Sequence, residues 1–291
     1  MIIKDKTVVI TGGTDGIGAA TALELKRQGA RVWIIGRSSE KGDRLVADAL
    51  REGGVGSLNF LQADFSLMSN VSKTVEQLQD AVPRIDILVH CVGILIAHKA
   101  YTSEGIEKDF AVGYLSRFVM TKALVVQKLL DKESIVVNVA ASSPKIPKMA
   151  KLEFNDLATV EARFGMQSHG QAQMANDLFS LEASRRWGLS VIGYGPGSVD
   201  TGIRRELPPL LVALIKPFFF FSTRKPQQVA LQFAQMIESQ SPPSGETWFF
   251  HKKGRFTPDA FVLDPNRRRE LWSASEALEQ KALGYGAYVV A

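Results

Sequence analysis

The sequence predicts an α/β fold: a single doubly wound domain, with a parallel sheet and helices on both faces. Three observations predict it. Short β-branched runs alternate with helical stretches along most of the chain. Strands separated by helices pair in parallel through right-handed crossovers. A glycine-rich turn, "TGGTDGIG" at 11–18, stands between the first strand and the first helix.

The elements follow in order. "KTVVI" (6–10) reads as a buried strand, and a helical stretch follows at 16–28. "RVWII" (31–35) is the second strand, a polar helix covers 39–52, and "LNFLQA" (58–63) is the third strand. A helix at 67–80 leads to "IDILVH" (85–90), and two further helices lead to "SIVVNVA" (134–140). A long helix from about 166 to 187 precedes "LSVIGY" (189–194). No linker divides this body, so residues 1–291 read as one domain.

The bulk numbers bound the function. The chain is 45% hydrophobic and 22% charged, an ordinary globular balance that argues against a disordered or fibrous protein. Its one cysteine, Cys91, excludes an intramolecular disulfide and fits the cytoplasm or another reducing compartment. "MIIKDK" runs straight into a strand, with neither a signal-peptide nor an Arg-rich transit pattern. The net charge is +5, but the basic residues are scattered apart from Arg267 to Arg269. That run reads as a solvated face, not a nucleic-acid surface. The histidines His90, His98 and His251 do not make a metal set.

The segment "PPLLVALIKPFFFF" (208–221) stands out as an apolar flap at about 204–224. It is too short and too broken by proline and Lys216 to span a bilayer. It reads as a cover on the core, as the wall of an apolar ligand pocket, or as a surface for a subunit or membrane. Four consecutive phenylalanines are costly to leave in water, at about 25 cal/mol per Å². A hydrophobic ligand, a protein surface or peripheral membrane association is therefore expected there, as is an oligomer or complex.

The turn at 11–18 carries the chemistry. Gly12, Gly16 and Gly18 let the backbone turn sharply and approach a pyrophosphate, while the helix N-terminus presents free N–H groups. An NAD site usually places an acid after the second strand to bind the ribose 2′-hydroxyl. Here Gly36 is followed by Arg37, with Lys41 nearby. Arg37 suits a 2′-phosphate, so NADP(H) is the expected cofactor, in preference to NAD(H).

These residues resemble the short-chain dehydrogenase/reductase family, in particular its retinol-dehydrogenase-like branch, over nearly the whole chain. "TGGTDGIG" is similar to the family's TGxxxGIG loop, which assigns Gly12, Thr14, Asp15, Gly16, Ile17 and Gly18 to the cofactor. "GRSSEKG" resembles an NADP-type turn, and "ADFS" (63–66) the segment whose Asp64 would meet the adenine. "HCVG" (90–93), ending in Gly93, stands where the family has NNAG. "GPGSVDTGI" (195–203) resembles PG-x-V-x-T, placing Pro196, Gly197, Val199 and Thr201 at the cofactor, Thr201 near the carboxamide. "LWSASEAL" (271–278), within a helix at about 264–282, resembles the branch's terminal helix. The resemblance implies a Rossmann domain.

The family's catalytic tetrad is Asn, Ser, Tyr and Lys, and all four positions differ here. "FAVGYLSRF" (110–118) puts Gly113 in the Asn slot, and "VVNVAASS" (136–143) puts Ala141 in the Ser slot. "HGQAQMAN" (169–176) puts His169 for Tyr and Gln173 for Lys. None of the five tyrosines has Lys four residues on, while a one-residue slip would bring Ser142 inward. Tyr→His and Lys→Gln are mutually consistent, because imidazole titrates near pH 6.5 without a cation beside it, and Gln173 could still bind the ribose. Ala141 and Gly113 are harder to explain, since losing one oxyanion donor costs on the order of 10²–10³ in rate.

Loss of conventional hydride transfer is therefore the leading expectation: a cofactor-holding scaffold or pseudoenzyme subunit, or a non-redox catalyst of cyclase, isomerase or lyase type. The alternative is an NADPH-dependent oxidoreductase on a hydrophobic carbonyl or alcohol, with His169 replacing the tyrosine. His169 as an idle filler of a tyrosine-shaped slot stands beside both.

Overall fold

The computed structural model describes residues 2–96, 98, 100–140, 142–143, 152, 154, 157, 165–200, 223–239 and 241–284. Ala141, Thr201 and the run 208–221 lie outside the described residues.

β1 (Thr7–Thr11), β2 (Arg31–Gly36), β3 (Ser57–Gln62) and β4 (Ile87–His90) alternate with α1 (Gly16–Arg27), α2 (Ser39–Glu52) and α3 (Met68–Ala81). Helix α4 is continuous and comprises Lys108–Phe110, a π-turn over Ala111–Leu115, and Ser116–Val126. It leads to β5 (Ile135–Val139), α5 (Gly165–Trp187) and β6 (Ser190–Gly195). Beyond these come α6 (Pro226–Ser239), β7 (Thr247–His251), β8 (Gly254–Phe256), α7 (Ala260–Leu263) and α8 (Pro265–Ala282).

Among the described residues the sheet has eight strands in the order β3-β2-β1-β4-β5-β6-β7-β8. Seven strands are parallel, and β8 closes the edge antiparallel to β7, with Phe249 opposite Phe256. The sheet is thus doubly wound as expected, but one edge strand runs against the rest. The two helices expected before β5 are one helix, interrupted by the π-turn and not by a break in the chain.

Alternation along the strands builds two cores. Val9 and Leu88 join one cluster with α3, α4, α5 and α8, while Val8, Ile10, Ile87 and Val89 join the other with α1 and α6. Burial on both faces is why the strands read as continuous apolar runs. No helix among the described residues is long and apolar enough to cross a membrane.

The order of strands fixes where a ligand goes. Successive crossovers reverse direction between β1 and β4, and the carboxyl ends of those strands diverge into a crevice. The C-terminal helix α8 packs along α4 and α5 on one face of the sheet. Tyr114 in the π-turn and Ser275 on α8 share a buried hydrogen bond of 2.7 Å, and Lys122 reaches Glu279 at 2.6 Å. Phe118 and Trp272 meet edge-on at 5.1 Å beside them.

One buried ammonium holds the opposite end. Lys26, 3% exposed, donates from Nζ to the carbonyl of Ala49 at 2.8 Å and to that of Gly53. Both carbonyls lie at the C-terminus of α2, where a cation also meets the negative end of the helix dipole. Lys26→Met should lower the unfolding free energy by about 2 kcal/mol, the worth of charged hydrogen bonds of which one acceptor, the buried Ala49 carbonyl, is left unmet. Urea denaturation of the two proteins measures this. An unchanged midpoint would show that water replaces the ammonium without loss.

Candidate active site

The glycine turn is built by contact between backbones. Gly12 has φ +68°, and a Cβ there would lie 2.7 Å from Cα of Val92, on the loop after β4. A Cβ on Gly18 would lie 2.3 Å from the carbonyl oxygen of Gly12. Only glycine lets the loop, the neighbouring strand end and α1 close to this distance. Asp15 caps α1 by accepting from N of Gly16 at 2.7 Å, and its other oxygen pairs with Nζ of Lys41 at 2.6 Å.

This turn forms one wall of a cavity of about 440 Å³ at the carboxyl ends of the strands. Gly12, Thr14, Asp15, Gly16, Ile17 and Gly18 line it after β1, and Arg37 lines it after β2. Asp64 after β3, Gly93 after β4, and Pro196, Gly197 and Val199 after β6 complete the ring. The structure thus brings together every described residue that the sequence placed at the cofactor; Thr201 lies outside the described residues. Arg37 is exposed at the mouth, whereas Lys41 is committed to Asp15. Asp64 also shapes its own turn, accepting from N of Ser66 at 2.9 Å.

The cavity floor holds His169 and Gln173, one turn apart on α5. Nδ1 of His169 lies 3.2 Å from both carboxylate oxygens of Asp109, a residue on α4 that is fully buried. Nε2 of His169 lies 3.3 Å from Nε2 of Gln173. Burial pushes the Asp109 carboxyl up, and the His169 contact and the charge of Arg117 oppose that shift. The geometry is that of an imidazole held by a carboxylate on one nitrogen and facing the floor with the other.

Gly113 does not line the cavity. It sits inside the π-turn, and its carbonyl accepts from Nδ2 of Asn176 at 2.8 Å. A Cβ at Gly113 would come within 3.3 Å of Oδ1 of Asp109 and of Cβ of Ala172. The bare glycine is therefore what leaves room for the Asp109 carboxylate beside His169.

Ser142 is corrected by the structure. Its hydroxyl does not turn inward to replace the missing serine; it is fully buried away from the cavity and donates to Asp177. The cause is local. Glycines at 193 and 195 leave a recess in β6, where a Cβ on Gly195 would lie 1.9 Å from the Ser142 carbonyl oxygen. The buried Asp177 carboxylate then supplies the acceptor. Ala141 lies outside the described residues.

Three charged residues of the site escaped the sequence reading: Asp109, Arg117 and Asp177. A signal for two of them was present. Asp109 and Arg117, eight residues apart with Gly113 midway, are the two charges in the largely apolar run "DFAVGYLSRFVM" (109–120). Asp177, eight residues after His169, lies along the same helix.

Residues 6–151 match the family model for short chain dehydrogenases, half of the chain. The chain belongs to that family. Retinol dehydrogenase 12 of Mus musculus is 30% identical over 278 residues, spanning 94% of this chain and 86% of that protein. Retinol dehydrogenase 14 of Homo sapiens is 28% identical over 298 residues, spanning 95% and 87%. Among solved structures, a short-chain dehydrogenase/reductase from Serratia marcescens superposes with a TM-score of 0.65 at 17% identity, over 87% of this chain and all of that one. A blue fluorescent protein from a metagenomic library, in complex with NADPH, does so with a TM-score of 0.64 at 20% identity, over 87% and 99%. At these identities the structural likeness speaks for the fold.

Proposed function

We propose that this protein is an NADP(H)-dependent oxidoreductase acting on apolar carbonyl or alcohol substrates, with His169 in the role that the family gives to tyrosine. The observation that carries this reading is the buried Asp109 carboxylate on Nδ1 of His169. A buried carboxylate is costly unless it is paired, and here its hydrogen-bonded partner is an imidazole that lines the cavity floor.

The glycine turn, closed to within Cβ distance of Val92, fits a dinucleotide pyrophosphate at the start of α1. When bound, the nicotinamide supplies hydride to a carbonyl carbon or takes it from an alcohol. The chain's own part is the proton. Asp109 accepts Nδ1–H and stabilises the imidazolium, whose Nε2–H is donated to the carbonyl oxygen during reduction. In oxidation, neutral Nε2 takes the hydroxyl proton. Gln173, within 3.3 Å of that nitrogen, orients the ring. The apolar run 208–221, together with the dehydrogenases named among the relatives, supports a hydrophobic substrate.

One observation favours the second reading, a cofactor-holding scaffold or non-redox catalyst. The Ser142 hydroxyl is spent on Asp177, so it does not replace the carbonyl-polarising serine. Oxidation of NADPH with a panel of aldehydes, ketones and quinones separates the two. Turnover abolished by His169→Ala supports the first reading. Tight NADPH binding with no turnover on any substrate supports the second.

Arg37 tests the cofactor preference. Arg37→Ala should weaken NADP(H) about 10- to 100-fold, the worth of a guanidinium–phosphate contact, and leave NAD(H) within about twofold. Calorimetric titration with both dinucleotides reads this directly. Equal losses for both would remove Arg37 from the 2′-phosphate.

A further inference from the structure

Arg117 is a guanidinium at the cavity floor that is only 2% exposed. Its Nη2 donates to the carbonyl of Val92 at 2.8 Å and to that of Val139 at 3.0 Å. These bonds lay the guanidinium across the carboxyl ends of β4 and β5. Its Nε and Nη1 meet no hydrogen-bond partner among the described residues. A desolvated cation with two unmet donors is unfavourable unless an opposite charge offsets it. The opposing charge is Asp109, two turns earlier on α4 and also fully buried, within electrostatic reach. The groups facing Asp109 are His169 from α5 and Arg117 from α4, while Arg117 also faces His90 and Cys91 at the end of β4.

We propose that Arg117 is the positioning cation of the site: from α4 it supplies a positive charge where α5 offers only the neutral Gln173, and so sets which nitrogen of His169 carries the proton. This rests on the reading of His169 as the acid–base group. A buried carboxyl beside a neutral imidazole has two states. As a carboxylate it accepts Nδ1–H and leaves Nε2 unprotonated, with the Gln173 amide as its donor. As a neutral acid it donates to Nδ1 and drives the ring proton onto Nε2. Only the first state lets Nε2 take a proton from an alcohol. The Arg117 charge, on the same helix as Asp109, favours the carboxylate, and no hydrogen-bonded anion among the described residues neutralises it at Nε or Nη1.

The test reads the tautomer and needs no turnover. Nitrogen-15 NMR of histidine-labelled protein reports the state of each ring, and His169→Ala identifies the signal among the four histidines. In the wild type near pH 8, His169 should carry its proton on Nδ1. Arg117→Gln, which keeps a donor toward Val92 and Val139, should shift the proton to Nε2, and Arg117→Lys should hold the wild-type form. A wild-type ring already protonated on Nε2 overturns the proposal, whatever the variants do, even if Arg117→Gln fails to fold. An unchanged tautomer in folded Arg117→Gln also overturns it. In the NADPH assay, Arg117→Gln should lower kcat about tenfold or more with KM within about threefold. A tautomer shift without wild-type turnover would leave the role of Arg117 standing and remove the oxidoreductase reading. Turnover without a shift would do the reverse.

Discussion

Asp109→Asn should lower NADPH-dependent turnover by about 10²–10⁴-fold, the range found where a carboxylate behind a catalytic imidazole is made an amide. The side chain keeps its size, so cofactor binding should hold. What changes is the proton. An amide cannot stabilise the imidazolium, and its N–H₂ can pair with Nδ1 and select the wrong tautomer. Steady-state kinetics over pH 5–9 measure the effect. Turnover and pH profile matching the wild type would make His169 a spectator. Gly113→Asn should act in the same direction, because the new Cβ would stand 3.3 Å from Oδ1 of Asp109. Introducing asparagine alone is therefore expected to harm this site, and only the joint change with Ala141→Ser, His169→Tyr and Gln173→Lys is a fair rescue.

Asp177→Asn should remove a large part of the pH dependence of stability. Burial pushes the Asp177 carboxyl up to about 7, opposed by the hydrogen bond from Ser142. The unfolded carboxyl titrates near ~4. The folded chain therefore holds this proton more tightly, and the stability it contributes is full below about pH 4 and is lost as pH rises through about 7. Three units correspond to about 4 kcal/mol, an upper bound because the surroundings relax around the charge. The asparagine variant mimics the neutral acid, so its stability should be flatter between pH 5 and 8 and higher than wild type at pH 8. Urea unfolding at four pH values decides it. Parallel curves for the two proteins would exclude Asp177 as the titrating group.

Much of the fold was legible in the sequence because each signal was local. β1, β4, β5 and β6 are buried along their whole length and β2 along most of it, and their β-branched runs announce themselves wherever they pack. β7 and β8 were not named, although "TWFFH", then a Lys-Lys turn, then "GRF" is a hairpin pattern; Lys252 takes φ +55° there. The π-turn left no trace, since an inserted residue in a helix shifts the face without changing composition. The cofactor wall was legible because glycine spacing states a backbone requirement. The floor was not, because it is an exchange between two helices. His169 and Gln173 were read together on α5 but without a partner from α4, and Gly113 was read as a vacancy. The Asp109 carboxylate fills that vacancy from a turn away, and only packing of α4 on α5 brings it to the imidazole. Ser142 was misread for a similar reason: its direction is set by Asp177 and by the glycines of β6.

The hydrogen bond from Tyr114 to Ser275 ties the π-turn, and with it Asp109 and Gly113, to a helix made some 160 residues later. Chains fold from the N-terminus as they leave the ribosome. A nascent chain can therefore assemble the glycine turn and its strands while the proton-transfer floor still lacks its last support. The dinucleotide wall matures early in synthesis and the acid–base floor matures last. A translation product halted before α8 would retain the first without securing the second.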